Sequence, residues 1–195
     1  MITIVNEGEY YFMKIIPISY HQNGLRYTIR CAEEKDAEKL SQIRLKIDGE
    51  TSFFDRNPGE GMLTPNDFKQ LIHTDLQEFN RLFLLAETET GQIIAFSRCE
   101  GSSLKRLMHK VEFGIGVLKD YWGYKVGPNL LQASLAWATE TKLAKMTLSV
   151  MEKNEKAIKL YKRYGFEVEG ILKKDKLLED GEYYSTIIMS RFLPE

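Results

Sequence analysis

Residues 110–140 read KVEFGIGVLKDYWGYKVGPNLLQASLAWATE. An apolar strand runs into a glycine-containing loop, and a helix begins as the loop ends. Gly127 closes the loop, and Pro128 is expected at the first helical position, where its missing N–H costs nothing. Leu130, Leu131, Ser134, Leu135 and Ala138 then recur at helical spacing and form one small or apolar face. A strand, a loop of exposed N–H groups and a helix N-terminus together make a place to hold phosphates. An ordinary strand-to-helix turn fits this stretch equally well. Two familiar phosphate fingerprints fail. Gly114-Ile115-Gly116 lacks the third glycine of the dinucleotide pattern, where Lys119 stands, and no Gly-Lys-Ser/Thr follows.

The rest of the chain gives this unit its setting. A length of 195 residues suits one domain with a real core. The 27 Lys and Arg against 28 Asp and Glu are near balance, which argues against general nucleic-acid binding. Cys31 and Cys99 lie far apart without metal-ligand spacing, so reduced thiols and no bound metal are expected. No run reaches the roughly 20 apolar residues of a membrane span, and the N-terminus lacks the form of a secretory signal. A cytoplasmic location without membrane attachment follows as the expectation.

Upstream, residues 1–10 carry no periodic signal and read as a loose tail. Residues 12–20 alternate as a strand that Pro17 confines to a sheet edge, and His21-Gln22-Asn23-Gly24 turns it into a second strand from Leu25 to Cys31. Residues 1–24 therefore read as a tail with an extra edge strand, and 25–195 as a single domain. A helix from Glu34 buries Ala37, Leu40, Ile43 and Ile47. Residues 49–61, GETSFFDRNPGEG, form an irregular loop in which Phe53 and Phe54 read as lids on the core or as ligand contacts. Thr64-Pro65-Asn66-Asp67 opens the next helix with a cap, an early proline and an acid three residues after the cap. Its apolar stripe is Phe68, Leu71, Ile72, Leu76 and Phe79.

Strands from Leu82 and Ile93 lead into the central unit. After it come a strand over 145–150, a helix capped by Asn154 and ended by Tyr164-Gly165, and a final hairpin around Glu179-Asp180-Gly181-Glu182. This order predicts a mixed α/β fold with a largely antiparallel sheet flanked by helices.

Two stretches together resemble the GCN5-related N-acetyltransferase (GNAT) family. The family's first motif, Gln/Arg-x-x-Gly-x-Gly/Ala, aligns with Trp122-Gly123-Tyr124-Lys125-Val126-Gly127. Its second, Asn-x-x-Ala-x-x-x-Tyr followed by Gly-Phe, is met by Asn154, Ala157, Tyr161, Gly165 and Phe166. The element order from Tyr27 to Phe192 is also the family's. The resemblance implies the acyl-CoA N-acyltransferase fold and acetyl transfer from acetyl-CoA to a primary amine, directly and without a covalent enzyme intermediate. A small-molecule amine and a protein amine remain open as acceptor. A non-catalytic acyl-CoA sensor of the same fold is the alternative, and sheet-edge pairing allows a homodimer.

The resemblance also implies site roles. Residues 122–127 would hold the pyrophosphate, with Asn129 as a further donor. Ile115, Gly116 and Val117 would pair with the pantetheine arm, which enters where the sheet splays before Met146–Val150. Asn154 would contact that arm, cap its helix, or do both. Tyr161 is the family's usual proton donor, and the backbone N–H of Val117 is the oxyanion candidate. Glu112, on one strand face with Gly114 and Gly116, reads as the base or as a charge in solvent. Glu50 and Glu60, with Phe53 and Phe54, would meet a cationic acceptor. Two positions depart from the pattern. Trp122 replaces Gln or Arg, and Lys125 replaces a glycine, at a cost of roughly 1 kcal/mol if φ there is positive.

Overall fold

A computed structural model describes residues 2–7 and 10–194, with side chains from residue 15 onward. An eight-stranded sheet has the order β3-β4-β5-β6-β7-β8-β10-β9. In chain order these are β3 (Ile18–Gln22), β4 (Leu25–Cys31), β5 (Leu82–Thr88), β6 (Ile93–Gly101), β7 (Lys110–Val117), β8 (Lys145–Met151), β9 (Glu167–Leu177) and β10 (Tyr183–Phe192). Helices α1 (Ala37–Glu50) and α2 (Pro65–Gln77) cover one face. The other face carries α3 (Val126–Glu140) and α4 (Glu155–Arg163). Among the described residues, no helix is long and apolar enough to cross a membrane.

The continuous apolar run of β5 follows from this sandwich. Leu82, Leu84 and Ala86 enter the core under α3, whereas Phe83 and Leu85 enter the core under α1 and α2. A strand covered on both faces has no need of alternation. α2 begins as its sequence dictates. The Thr64 hydroxyl accepts from Asp67 N–H, the Asp67 carboxylate accepts from Thr64 N–H at 2.7 Å, and Pro65 opens the helix.

Four expectations change. The tail is a hairpin, with β1 (Ile2–Glu7) paired antiparallel to β2 (Tyr10–Ile15); Met1, Gly8 and Glu9 lie outside the described residues. The run over 12–20 is two strands, because the chain breaks at Ile16-Pro17, and only β3 joins the main sheet, at its edge. Phe79 lies beyond the end of α2 and is 42% exposed, so it is not part of the stripe. Finally, α3 begins at Val126 rather than Pro128.

Every strand pair of the main sheet is antiparallel except β7 with β8. That parallel pairing lasts only from Lys110 opposite Lys145 to Glu112 opposite Thr147. Beyond it β7 runs on to Val117 and β8 to Met151 without pairing, and the sheet is split.

Candidate active site

The two walls of the split differ in their backbone chemistry. Leu118 N–H donates to Ile94 O on the β6 side, and N–H direction alternates along a strand. Gly114 and Gly116 therefore turn their N–H and C=O groups toward β6, while Phe113, Ile115 and Val117 turn theirs into the split. The Thr147 hydroxyl, which reaches Val111 O across the last paired rung, fits the same parity. One of these groups is already taken. The Trp122 indole N–H donates to Val117 O at 2.9 Å, leaving the Val117 N–H and both polar groups of Ile115 open. Trp122, which stands where the family motif has Gln or Arg, thus braces the strand end with its only side-chain donor.

At the mouth of the split, the chain turns through Gly123 (φ 89°) and Lys125 (φ 58°) into α3. Lys125 occupies the N-cap position with a left-handed backbone, and no side chain caps the helix. The first full-turn bond of α3 runs from Asn129 N–H to Lys125 O, so the N–H groups of Val126 and Gly127 point outward without intrahelical acceptors. These donors and the helix dipole suit a pyrophosphate.

Asn129 is a correction to the sequence reading. Its side chain is buried and donates to the Tyr27 hydroxyl at 2.7 Å, and its backbone N–H is inside the helix ladder. Tyr27 in turn donates to Tyr124 O at 3.5 Å. Asn129 therefore pins the loop from behind and has no N–H left facing the phosphate position from the backbone.

Lys125 holds its strained backbone with an exposed side chain that has no ion-pair partner among the described residues. Replacing it by glycine should relieve roughly 1 kcal/mol of strain, partly offset by the greater freedom of glycine in the unfolded chain. We expect Lys125→Gly to melt at or slightly above the wild-type temperature, yet to bind CoA about two- to fivefold more weakly through loss of the ammonium. Calorimetry showing equal or tighter CoA binding would remove the ammonium from the phosphate site.

Across the split, Asn154 caps α4 and Tyr161 lies on it. Asn154 Oδ1 accepts from Ala157 N–H at 3.2 Å and caps the helix; its Nδ2 has no acceptor among the described residues. Capping and ligand contact are thus compatible at this residue. Tyr161 is 8% exposed and packs against Phe166 with ring centroids 5.8 Å apart. Among the described residues its hydroxyl has no hydrogen-bond partner. Burial pushes its pKa up to about 12, so the phenol holds its proton at neutral pH.

Glu112, at the last paired rung, is exposed and lies opposite Glu100 on β6. It shares a strand face with Gly114 and with Gly116, where an added Cβ would come within 3.2 Å of Ile47 on α1. This is the face covered by α1 and α2. On the same side lies a cavity of about 950 Å³ between the 49–61 loop and the β9–β10 hairpin. Its walls include Glu50, Phe54, Glu60, Ser149 and Thr186, but neither Phe53 nor Glu112. Glu50 also accepts from Lys119 N–H at 2.7 Å, tying the cavity to the turn after β7. Glu60 accepts from Asn57 N–H at 2.9 Å and closes the loop. Arg56 anchors that loop to buried Asp48 through bonds of 2.8 and 3.1 Å.

The site is thus a split sheet with open amide groups on one wall, a helix N-terminus at its mouth and a buried phenol on the helix across it. A model of the acetyltransferase (GNAT) family matches residues 49–166. The L-amino acid N-acetyltransferase AaaT of Escherichia coli (strain K12) is 30% identical over 164 residues, which cover 84% of this chain and 96% of AaaT. A GNAT-family acetyltransferase from Streptococcus pneumoniae superposes with a TM-score of 0.82 at 25% identity, covering 86% of this chain and 99% of that one. A GNAT-superfamily phosphinothricin acetyltransferase from Sinorhizobium meliloti, solved with acetyl-CoA, shares the fold with a TM-score of 0.76 at 19% identity, over 87% and 89% of the two chains. The chain belongs to the GNAT acetyltransferase family, and it is an N-acetyltransferase.

Proposed function

We propose that the protein transfers the acetyl group directly to a primary amine, with the cofactor on the α3–α4 side of the split and the acceptor in the cavity on the other. The observation that carries this reading is the split itself, a row of unpaired backbone donors and acceptors at Ile115 and Val117 beside a neutral phenol. Acetyl-CoA supplies an activated thioester. Ile115, Val117 and Asn154 Nδ2 hold its amide-rich arm as an added strand would be held, with Gly116 lining that stretch. The N–H groups of residues 123–127 hold its pyrophosphate.

Val117 N–H stabilises the charge that builds on the attacked carbonyl oxygen. Tyr161 gives its proton to the departing sulfur as the carbon–sulfur bond breaks. Glu112, five residues down β7 from Val117, takes the proton from the acceptor nitrogen through a chain of waters as the carbon–nitrogen bond forms. Glu50, Glu60 and Phe54 form the acceptor wall, and Phe53 shapes the loop behind it.

Residues 25–195 form the catalytic domain in this reading, with 1–24 as an extension. The thiols of Cys31 and Cys99 suit a cytoplasmic setting. The exposed edge strand β9, with Ile171 and Leu177 open, offers a surface for a second copy. Thiol release from acetyl-CoA over a panel of primary amines, run with wild type and Tyr161→Phe, tests the proposal. Turnover of at least one amine and its loss in the variant are expected. Tight CoA binding without turnover of any amine would favour a sensor.

A further inference from the structure

The cavity between the 49–61 loop and the β9–β10 hairpin has an unequal distribution of charge. Seven carboxylates and three cations line it. Each cation is already held. Arg56 is paired with Asp48, Lys176 with Asp55, and Lys153 with Asp180 at 3.4 Å and the Tyr184 hydroxyl at 2.5 Å. The hairpin carboxylates Asp175 and Glu179, by contrast, have no hydrogen-bond or ion-pair partner among the described residues.

A bulge places Asp175 there, and the hairpin turn that follows carries Glu179. Between Tyr184 and Thr186 the register of β10 moves from Lys176 to Leu172 on β9, and the extra residues turn through Lys174 at φ 53°. Asp175 and Lys176 thereby join the cavity wall.

A second observation is independent of charge. Thr186 lines the same cavity, is 3% exposed, and its hydroxyl is buried with no partner among the described residues. A buried hydroxyl without a partner is costly unless a ligand supplies one. A volume of about 950 Å³ is at the large end for small-molecule sites, more than a single small amine fills.

We propose that the acceptor is a di- or oligoamine without a carboxylate. Its reacting amine hydrogen-bonds to the Thr186 hydroxyl, which a rotation of that side chain turns into the cavity, and a distal ammonium is held by Asp175 and Glu179. This inference rests on the acetyltransfer reading for the reacting end and goes beyond it in naming the second cationic group. A free carboxylate on the acceptor would meet no unpaired cation in the cavity, so an α-amino acid, the substrate that AaaT's name indicates, is disfavoured here.

The test compares 1,4-diaminobutane, spermidine, butylamine, 4-aminobutyrate and L-methionine in the thiol-release assay. Thermal shifts of the CoA-bound protein with spermidine and with 4-aminobutyrate are measured beside it. The value of kcat/KM should be on the order of 100-fold higher for 1,4-diaminobutane than for 4-aminobutyrate, which carries a carboxylate in place of the second aminomethyl group. Spermidine should raise the melting temperature and 4-aminobutyrate should not. In the Asp175→Asn/Glu179→Gln double variant, the preference for 1,4-diaminobutane over butylamine should fall about tenfold. Thr186→Val should lower kcat/KM for the diamines by roughly tenfold, with the melting temperature of the free protein unchanged or slightly raised.

Preference for 4-aminobutyrate or L-methionine, or a diamine preference untouched by the double variant, would overturn the proposal. If no amine turned over while spermidine still stabilised wild type and not the double variant, the diamine site would stand and the acetyltransfer reading would fail.

Discussion

Tyr161→Phe is expected to lower kcat for thiol release by about 10²- to 10⁴-fold, the range that a positioned general acid supplies. CoA affinity should stay within about twofold, because the ring and its contact with Phe166 are retained. The fold should not suffer either. The hydroxyl has no partner among the described residues, so removing it breaks no internal hydrogen bond. The loss would therefore be chemical, read as kcat falling with the melting temperature unchanged or slightly higher.

The pH profile carries a second signature. With its pKa raised by burial to about 12, Tyr161 remains protonated across the assay range, and activity should rise with pH as the acceptor ammonium loses its proton. No fall due to this phenol is expected until pH nears 12. The same shift affects stability in the opposite direction. Below about pH 10, where an unfolded tyrosine is still protonated, its contribution is complete, and it is lost as pH rises through the folded value. A wild-type rate falling above neutral pH, absent from Tyr161→Phe, would assign the proton transfer differently.

Asp75→Ala should give the largest loss of stability, about 3–5 kcal/mol by urea denaturation. Asp75 is 5% exposed on α2 and receives Arg98 from β6 through bonds of 2.5 and 2.8 Å, with Arg81 at 3.4 Å. Burial by itself would depress the Arg98 pKa; the Asp75 carboxylate, with Glu100, holds it above the usual value. Truncating the aspartate leaves a largely buried guanidinium with only the half-exposed Glu100 as partner. Glu100→Ala, removing the exposed member of the same network, should cost less than about 1 kcal/mol. A loss at Asp75 as small as that at Glu100 would show that α2 is not clamped to the sheet by this pair. Since domains are stable by roughly 5–15 kcal/mol in all, the aspartate variant should be close to its unfolding threshold.

Local signals in the sequence were sufficient wherever neighbouring residues decide the structure. The capping box Thr64–Asp67 starts α2, Asn154 caps α4, and the doubly covered β5 is apolar throughout. Long-range pairings were out of reach of such signals. Asn129 looks like a free donor after a phosphate loop until Tyr27, 102 residues away, turns it inward. Trp122 is a short-range case that sequence signals also miss: its indole finds the Val117 carbonyl, five residues back, only because the chain doubles back over the strand end.

The true start of α3 was hidden for a different reason. A left-handed lysine at the N-cap has no compositional signature, and Pro128 is a persuasive first residue when that position is read from local preferences. The family motif nonetheless marked Lys125 as standing where a glycine is usual, and its φ of 58° meets that expectation. Of the cavity wall, Glu50, Phe54 and Glu60 were legible as members of the irregular 49–61 loop. Thr186 and Asp175 were not, because a β-bulge sets how β9 and β10 meet the cavity, and Glu179 reaches it only because the hairpin turn folds beside the loop.

The account depends on one assertion about the split, that its open amides on β7 are where the cofactor arm binds. Residue-resolved amide hydrogen exchange by NMR, with and without CoA, tests it directly. Protection on adding CoA should appear at Ile115 and Val117 and at residues 123–127, with little change at Gly114 and Gly116, whose N–H groups already face β6. CoA binding that left Ile115 and Val117 unprotected would contradict it.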